Sequence, residues 1–302
     1  MISLTISIVN FTCFLCKVKN INRVDLFVKI NQTNYNICSF KEKEMVSKKY
    51  TYYKELCLAK KAVKSAYTKV ILKNPMDVKV KGKQDLVTNL DVMCEQYLID
   101  AIKTRYPNDT IISEENNPTN IPKQRSWAID PIDGTLNFAF NIGLWGIQLA
   151  FMVDNKPEFC VMYLPTLNEF YYAVIGQGAY LNEKPMPKVV SQPASEHMAM
   201  VDYISAATPA AIQDFDILSK TTLKARAIGS ACFSYTQVAS GKYGSFILYC
   251  DNIWDYLPGS ILCHECGVPV YYKTCKDPKV RVTLATFNPE VKKALKYTKT
   301  LF

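Results

Sequence analysis

Histidine is scarce in this chain: His197 and His264 are the only two in 302 residues. A zinc centre normally takes four ligands. The C-x-x-C pairs Cys13/Cys16 and Cys263/Cys266 could recruit only those two imidazoles, so a zinc role for either pair is not favoured. No apolar run reaches the roughly eighteen residues of a spanning helix, which excludes a polytopic membrane protein. Internal repeats and low-complexity segments are also missing. At 49% hydrophobic, 12% aromatic and 21% charged residues, the composition excludes a disordered chain, a collagen-like fibre and a coiled coil.

The formal net charge of +9 is unevenly placed. Residues 1–82 hold 16 Lys and Arg against 5 Asp and Glu, whereas residues 83–302 hold 20 against 22. A basic segment can meet nucleic acid or an anionic membrane. Here the lysines alternate with apolar residues, as on a solvated helix face, and that reading is preferred. The eleven cysteines are odd in number and irregularly spaced, which does not describe a disulfide framework. A reducing, cytoplasmic setting is expected, with most thiols acting as small buried hydrophobes.

Met1 to Cys16 is apolar, but it lacks a basic start and a small-residue cleavage site, and it is short for a membrane span. Residues 17–44 show no clear period. From Met45 onward Leu56, Ala59, Val63, Tyr67 and Val70 recur every three or four residues, predicting an amphipathic helix ended by Asn74-Pro75. Residues 45–302 are therefore expected to form the domain. Residues 1–44 are an extension, read either as sequence upstream of a start at Met45 or as a membrane anchor, with the first preferred.

The remainder alternates between helix and strand. Thr88 opens a second helix with Asp91 as its capping-box acid, and Leu90, Cys94, Leu98, Ala101 and Ile102 line one face until Tyr106-Pro107. Strands are predicted at 110–113, 127–130, 147–153, 159–164, 170–175 and 245–249, and helices at 210–219, 230–240 and 255–266. Asp154-Asn155 joins two of the strands, and Gly176-Gln-Gly178 is a turn. Stacked α and β layers are the expected class.

Four acidic clusters carry the chemistry. In Trp127-Ala-Ile-Asp130-Pro131-Ile132-Asp133-Gly134-Thr135 an apolar strand ends in one carboxylate and a second follows three residues later. Two carboxylates and the Ile132 carbonyl are hard oxygen donors of the kind Mg²⁺ takes. The N–H groups of Gly134 and Thr135 could face an anion at a helix start. An Asx turn that merely ends a strand is an equal reading of this segment taken alone. Taken singly, Ile112-Ser113-Glu114-Glu115 reads rather as a solvated acidic loop, Asp255 after Trp254 as an N-cap, and Asp91 as a capping residue.

Taken together and in order, these segments resemble the inositol monophosphatase family of Mg²⁺-dependent phosphatases, from about Tyr52 to about Phe287. The matching pieces are Asp85-Leu-Val-Thr-Asn-Leu-Asp91-(x3)-Glu95, Ile112-Ser-Glu114-Glu115, Trp127–Thr135 with Asn137-Phe138, Gly176-Gln-Gly178-Ala-Tyr-Leu-Asn182, Arg226-(x2)-Gly229-Ser230-Ala231, and Trp254-Asp255-(x3)-Gly259-(x5)-Glu265-Cys-Gly267. The resemblance implies an α/β fold of five α-β-α-β-α layers, as in the inositol monophosphatases and fructose-1,6-bisphosphatases, usually a homodimer that hydrolyses a small phosphate monoester. It implies that Glu114, Asp130 and the Ile132 carbonyl hold one Mg²⁺, and that Asp130 bridges to a second held by Asp133 and Asp255. A third, weaker Mg²⁺ is implied near Glu114. Asp91 and Thr135 would orient and deprotonate the attacking water. Gly134, Thr135, Gly229, Ser230 and Ala231 would bind substrate. Such chemistry needs charge neutralisation and an in-line water rather than a Ser, Cys or His nucleophile.

The departures concern substrate. Inositol-hydrolysing members carry a Glu, which binds ring hydroxyls, where this chain has Leu248, and Leu cannot accept those hydrogen bonds. Tyr256-Leu-Pro258 replaces small residues, with Pro258 expected in the first turn of its helix; Phe140 stands where a polar residue is commoner, and Cys266 replaces Ala. Within the same fold, a 3′-phosphonucleotide phosphatase or a fructose-1,6-bisphosphatase is the alternative, with Arg226, Lys242 or the loop 79–83 meeting a second phosphate. From a different class, a non-catalytic regulatory or RNA-binding protein is a further alternative. Neither nucleic acid nor a membrane is the expected partner, unless residues 1–44 anchor the chain. Removing residues 1–44 should leave soluble, active protein, checked by gel filtration and phosphate release; aggregation of the truncated chain would place the extension within the fold.

Overall fold

The computed structural model describes residues 50–82, 85–203, 208–250, 252–274 and 281–302. The expectations for residues 1–44, with Cys13 and Cys16, and for position 83 of the loop 79–83 lie outside these residues. Internal contacts divide the chain into Met1–Tyr53 and Lys54–Phe302, and the second unit carries the architecture described here.

The first predicted helix is α1 (Tyr53–Ala66), followed by a π-helical turn at Tyr67–Ile71. Its buried face is Leu56, Ala59, Ala62, Val63 and Ala66, continued by Val70. A hairpin of β1 (Val78–Gly82) and β2 (Asp85–Thr88) leads into α2 (Asn89–Arg105). The capping box at the start of α2 is complete, Thr88 and Asp91 each satisfying the other's backbone N–H. Leu90, Cys94, Leu98 and Ile102 are buried as the periodicity predicts.

Seven strands follow one another in space in chain order: β3 (Thr110–Ser113), β4 (Arg125–Asp133), β5 (Gly146–Val153), β6 (Lys156–Leu164), β7 (Glu169–Val174), β8 (Gly178–Leu181) and β9 (Lys184–Pro185). Between β4 and β5 lies the short helix α3 (Thr135–Ala139). Only the β3–β4 pair is parallel. The β5–β6 hairpin turns at Asp154-Asn155 with φ of +51° and +61°, a left-handed pair that these short polar residues tolerate.

The second sheet has the order β11-β10-β12-β14-β13-β15. Its strands are β10 (Met198–Tyr203), β11 (Lys224–Arg226), β12 (Ser245–Cys250), β13 (Val270–Thr274), β14 (Arg281–Thr286) and β15 (Lys299–Thr300). Four helices complete the fold: α4 (Thr208–Thr221), α5 (Ala231–Ala239), α6 (Ile253–Glu265) and α7 (Pro289–Leu295).

Helices α5 and α6 pack on each other and on strands of both sheets, forming the middle layer. Alternation along β12 displays the construction: Phe246 and Leu248 join the core around α5 and α6, while Ile247 and Tyr249 join the core of the second sheet that includes α4 and α7 residues. With α2 on β4 outside the first sheet and α4 on β10 outside the second, the layers run α-β-α-β-α, as expected. No helix among the described residues is long and apolar enough to cross a membrane.

Pro258 departs from expectation. It is the sixth residue of α6, not in the first turn, and its missing N–H cannot bond the carbonyl of Trp254 four residues back. The middle layer also demands close approach: a Cβ on Gly259 would lie 2.1–2.4 Å from Tyr235 atoms of α5. Gly259→Ala should therefore lose about 1–3 kcal/mol of stability through overpacking. Urea unfolding of the two proteins measures this, and equal midpoints would show that α5 and α6 can part without cost.

Candidate active site

Strand β4 delivers the central acid. Ala128 and Asp130 lie on the face directed at the middle layer, and register places Asp130 opposite Gln148 of β5. Gln148 Nε2 donates to Asp130 Oδ2 at 3.3 Å. Asp130 Oδ1 is buried with no hydrogen-bond partner. Burial pushes this carboxyl well above its ordinary value of 3.8, and the charges of Glu114, Asp133 and Asp255 push in the same direction. Glu114 follows the end of β3, whose parallel pairing of Ser113 with Ile129 brings it level with Asp130. The strand predicted to stop at Asp130 runs on to Asp133, with a register shift between the two acids.

Gly134 then turns the chain with φ of +84°. A Cβ there would lie 3.0 Å from Ser230 Cβ and 3.1 Å from the Gly229 carbonyl, so glycine is required both for conformation and for space. Thr135 begins α3, and its hydroxyl lies 3.2 Å from Asp91 Oδ1 and 3.1 Å from the Ile132 carbonyl. Asp91 thus has two tasks. One oxygen caps α2 through Thr88 N at 2.8 Å, and the other faces Thr135. Burial raises its pKa to about 6, opposed by the Thr88 hydrogen bonds.

Asp133 is held by the start of α5. Ala231 N donates to Oδ1 at 3.0 Å, and Cys232 N to Oδ2 at 2.8 Å, where the Ser230 hydroxyl also donates. Burial still raises its pKa to about 6. Asp255 is the third residue of α6, and the N-cap position belongs to Asn252, whose Nδ2 reaches Asp255 Oδ2 at 3.2 Å. Its pKa is raised to about 7, by burial first and by Asp133 second. Gly229, Ser230 and Ala231, expected from the sequence to bind substrate, sit beside these acids, but the donors named here already serve carboxylates: Gly229 N serves Asp202, and Ser230 Oγ and Ala231 N serve Asp133.

Three further carboxylates position the site. Glu95 accepts from Ser113 Oγ and the N–H groups of Glu115 and Asn116 at 2.7–2.8 Å, shaping the loop that carries Glu114. Asp202, at the end of β10, accepts from Ile228 N and Gly229 N at 2.8 Å and from Ser234 Oγ. Glu265, ending α6, accepts from Gly176 N and Gly178 N at 2.8 Å, which explains the two glycine-spaced segments of the sequence. Sequence reasoning missed Asp202 and Gln148. The only available signal was a polar residue inside an apolar strand.

The donor set fits a hard divalent cation: carboxylate oxygens, a backbone carbonyl and one buried oxygen left without a partner. Among the described residues no three His, Cys, Asp or Glu side chains close into a finished cage, and Asp133 accepts from Ser230, Ala231 and Cys232. Residues 49–300 match the inositol monophosphatase family. The chain belongs to that family. Among its relatives, the Nus factor SuhB of Salmonella typhimurium is 30% identical over 221 residues, covering 70% of this chain and 82% of the relative. The fructose-1,6-bisphosphatase/inositol-1-monophosphatase of Thermotoga maritima is 29% identical over 194 residues, covering 63% and 72%. An IMPase/NADP phosphatase solved with Mg²⁺ and phosphate shares the fold with a TM-score of 0.69 at 22% identity, covering 82% and 97%.

This inositol monophosphatase family member should betray its stacked acids through pH. Asp255 titrates near 7 when folded against an ordinary 3.8, so its folded state favours the proton. That contribution is complete below about pH 4 and is lost as pH rises through 7. Without metal, Asp255→Asn should melt above the wild type at pH 8, with the gap closing toward pH 5. Asp133→Asn should instead lose about 1–3 kcal/mol, because its amide cannot accept all three bonds from α5. Melting curves in chelator across that range check both; a pH-independent gap for Asp255→Asn would refute the charge argument.

Proposed function

We propose that the protein hydrolyses a small phosphate monoester in a Mg²⁺-dependent reaction with a metal-activated water. The carrying observation is the buried, unpartnered Oδ1 of Asp130 among acids that raise one another's pKa. Glu114, Asp130 and the Ile132 carbonyl would hold one ion, and Asp130, Asp133 and Asp255 a second, with Glu114 also close to a weaker third. Bound Mg²⁺ supplies charge neutralisation and acidifies a coordinated water. The relative solved with Mg²⁺ and phosphate supports that choice of ion.

The chain's own residues complete the chemistry. Thr135 Oγ1 sits between Asp91 and the Ile132 carbonyl, so the Thr135–Asp91 pair orients the attacking water and takes its proton. A carboxylate with a pKa near 6 is a stronger base than an ordinary Asp and is still ionised at neutral pH. N–H groups in the first turn of a helix lack intrahelical acceptors, so those of Gly134 and Thr135 are available to phosphate oxygens.

Leu248 guides the substrate class. Its side chain is buried in the apolar core around α5 and α6 and offers no acceptor to a ring hydroxyl. A sugar or polyol phosphate is favoured over an inositol phosphate. Of the cations weighed for the bisphosphate alternative, Lys242 is an exposed side chain paired with Glu169 at 3.3 Å. A cytoplasmic homodimer completes the proposal.

Phosphate release should be measured over inositol, sugar, polyol and 3′-nucleotide esters, with Mg²⁺ and with excess chelator. Turnover should require Mg²⁺, and myo-inositol 1-phosphate should show a kcat/KM no better than β-glycerophosphate. Full release in chelator would overturn the metal assignment, and a clear inositol preference would overturn the role of Leu248. The Nus factor relative supports a second reading, an RNA-associated regulator. Polynucleotide binding that weakens steeply with salt, without phosphate release, would favour it.

A further inference from the structure

Gln148 is fully buried and belongs to none of the segments that carry the family resemblance. It lies in the middle of β5, flanked on its own sheet face by Gly146 and Ala150 and paired across the sheet with Met162 on one side and Asp130 on the other. An amide set among such residues is costly to bury unless it is hydrogen-bonded. Its Nε2 has one partner, Asp130 Oδ2 at 3.3 Å. Its Oε1 has none, and neither has Asp130 Oδ1. Two unpartnered buried oxygens therefore belong to one side-chain pair, formed by residues that are direct cross-strand neighbours.

A carboxylate that binds metal needs its plane fixed, because either oxygen can otherwise rotate away from the ion. Asp130 receives that restraint from one group, the Gln148 amide; at Asp133 three donors from α5 provide it. A hydrogen bond to Oδ2 uses one of its lone-pair directions and leaves the rest, together with all of Oδ1, to a cation. The neutral Oε1 adds an acceptor beside the acid without adding another negative charge to a cluster already burdened with them.

We infer that Gln148 is a positioning residue for divalent-metal binding: its amide orients Asp130 toward the ion, and its carbonyl oxygen accepts from water held at the same centre. This rests on the metal-phosphatase reading given above. A glutamate here would add like charge, and an aliphatic residue would leave Asp130 unrestrained, so the carboxamide serves both demands.

The test is Mg²⁺ affinity of the full chain by isothermal titration calorimetry, without substrate, for the wild type, Gln148→Met and Gln148→Asn. Methionine keeps the length and volume but removes the N–H donor. Asparagine keeps the amide but withdraws it from an already long hydrogen bond. Both should weaken Mg²⁺ binding about 10–100-fold, while each variant melts cooperatively with an unchanged circular-dichroism spectrum. Should the methionine variant fail to fold, the asparagine variant decides. Mg²⁺ affinity equal to wild type in a folded variant would overturn the inference and leave the phosphatase reading intact. A wild type that binds no Mg²⁺ at millimolar concentration would overturn both.

Discussion

The cost of taking a cluster of carboxylates out of water is the constraint around which this molecule is arranged. Asp91, Asp130 and Asp133 are buried and Asp255 is half-buried, and desolvation is the largest influence raising every one of their pKa values. No single element could bring them together. Asp130 and Asp133 end β4, Asp91 opens α2 and Asp255 opens α6, while Glu114 follows β3. The layered fold is what forces these ends to one place, and its stability elsewhere must offset the tension there. Arg125, clasped by Glu55 and Asp109 and resting over Tyr106 and Phe151, is one such compensation at the opposite end of β4.

A division of labour runs through the acids. Asp130 and Asp255 keep few protein partners, whereas Glu95, Asp202 and Glu265 use theirs up on backbone N–H groups. The first kind is left electrostatically unsatisfied, and the second is saturated and shapes loops. Asp91 and Asp133 combine both: each anchors a helix start and keeps its place at the centre. Sharing one carboxylate between scaffold and site couples the integrity of the fold to the geometry of the reaction.

Much of this was legible in the chain because its signals are local. The Thr88–Asp91 capping box, the Asp154-Asn155 turn and the acids around Pro131 announce themselves within a few residues. What stayed hidden depends on distant partners. Strand β14 was not predicted, and its Thr283 and Thr286 are buried polar residues whose partners, Tyr235 and Ser245, lie far along the chain. Gln148 looked like an interruption of an apolar strand, since only the β4–β5 register reveals what its amide meets. Asp202 was silent for the same reason. Its partners Ile228 and Gly229 lie beyond an entire helix.

Helix α6 has a consequence of another kind. It carries Asp255 near its start and Glu265 at its end, ten residues or about 15 Å apart along the helix. Glu265 is fastened to the glycine turn before β8, and Gly259 presses against Tyr235 at mid-length. The helix therefore behaves as a strut with a distant footing. A Cβ at Gly176 or Gly178 would meet no neighbour, but their φ of +74° and +91° would strain any side chain there, and the strain would fall on that footing. The glycine turn is thereby tied, through a single helix, to the acid at its other end.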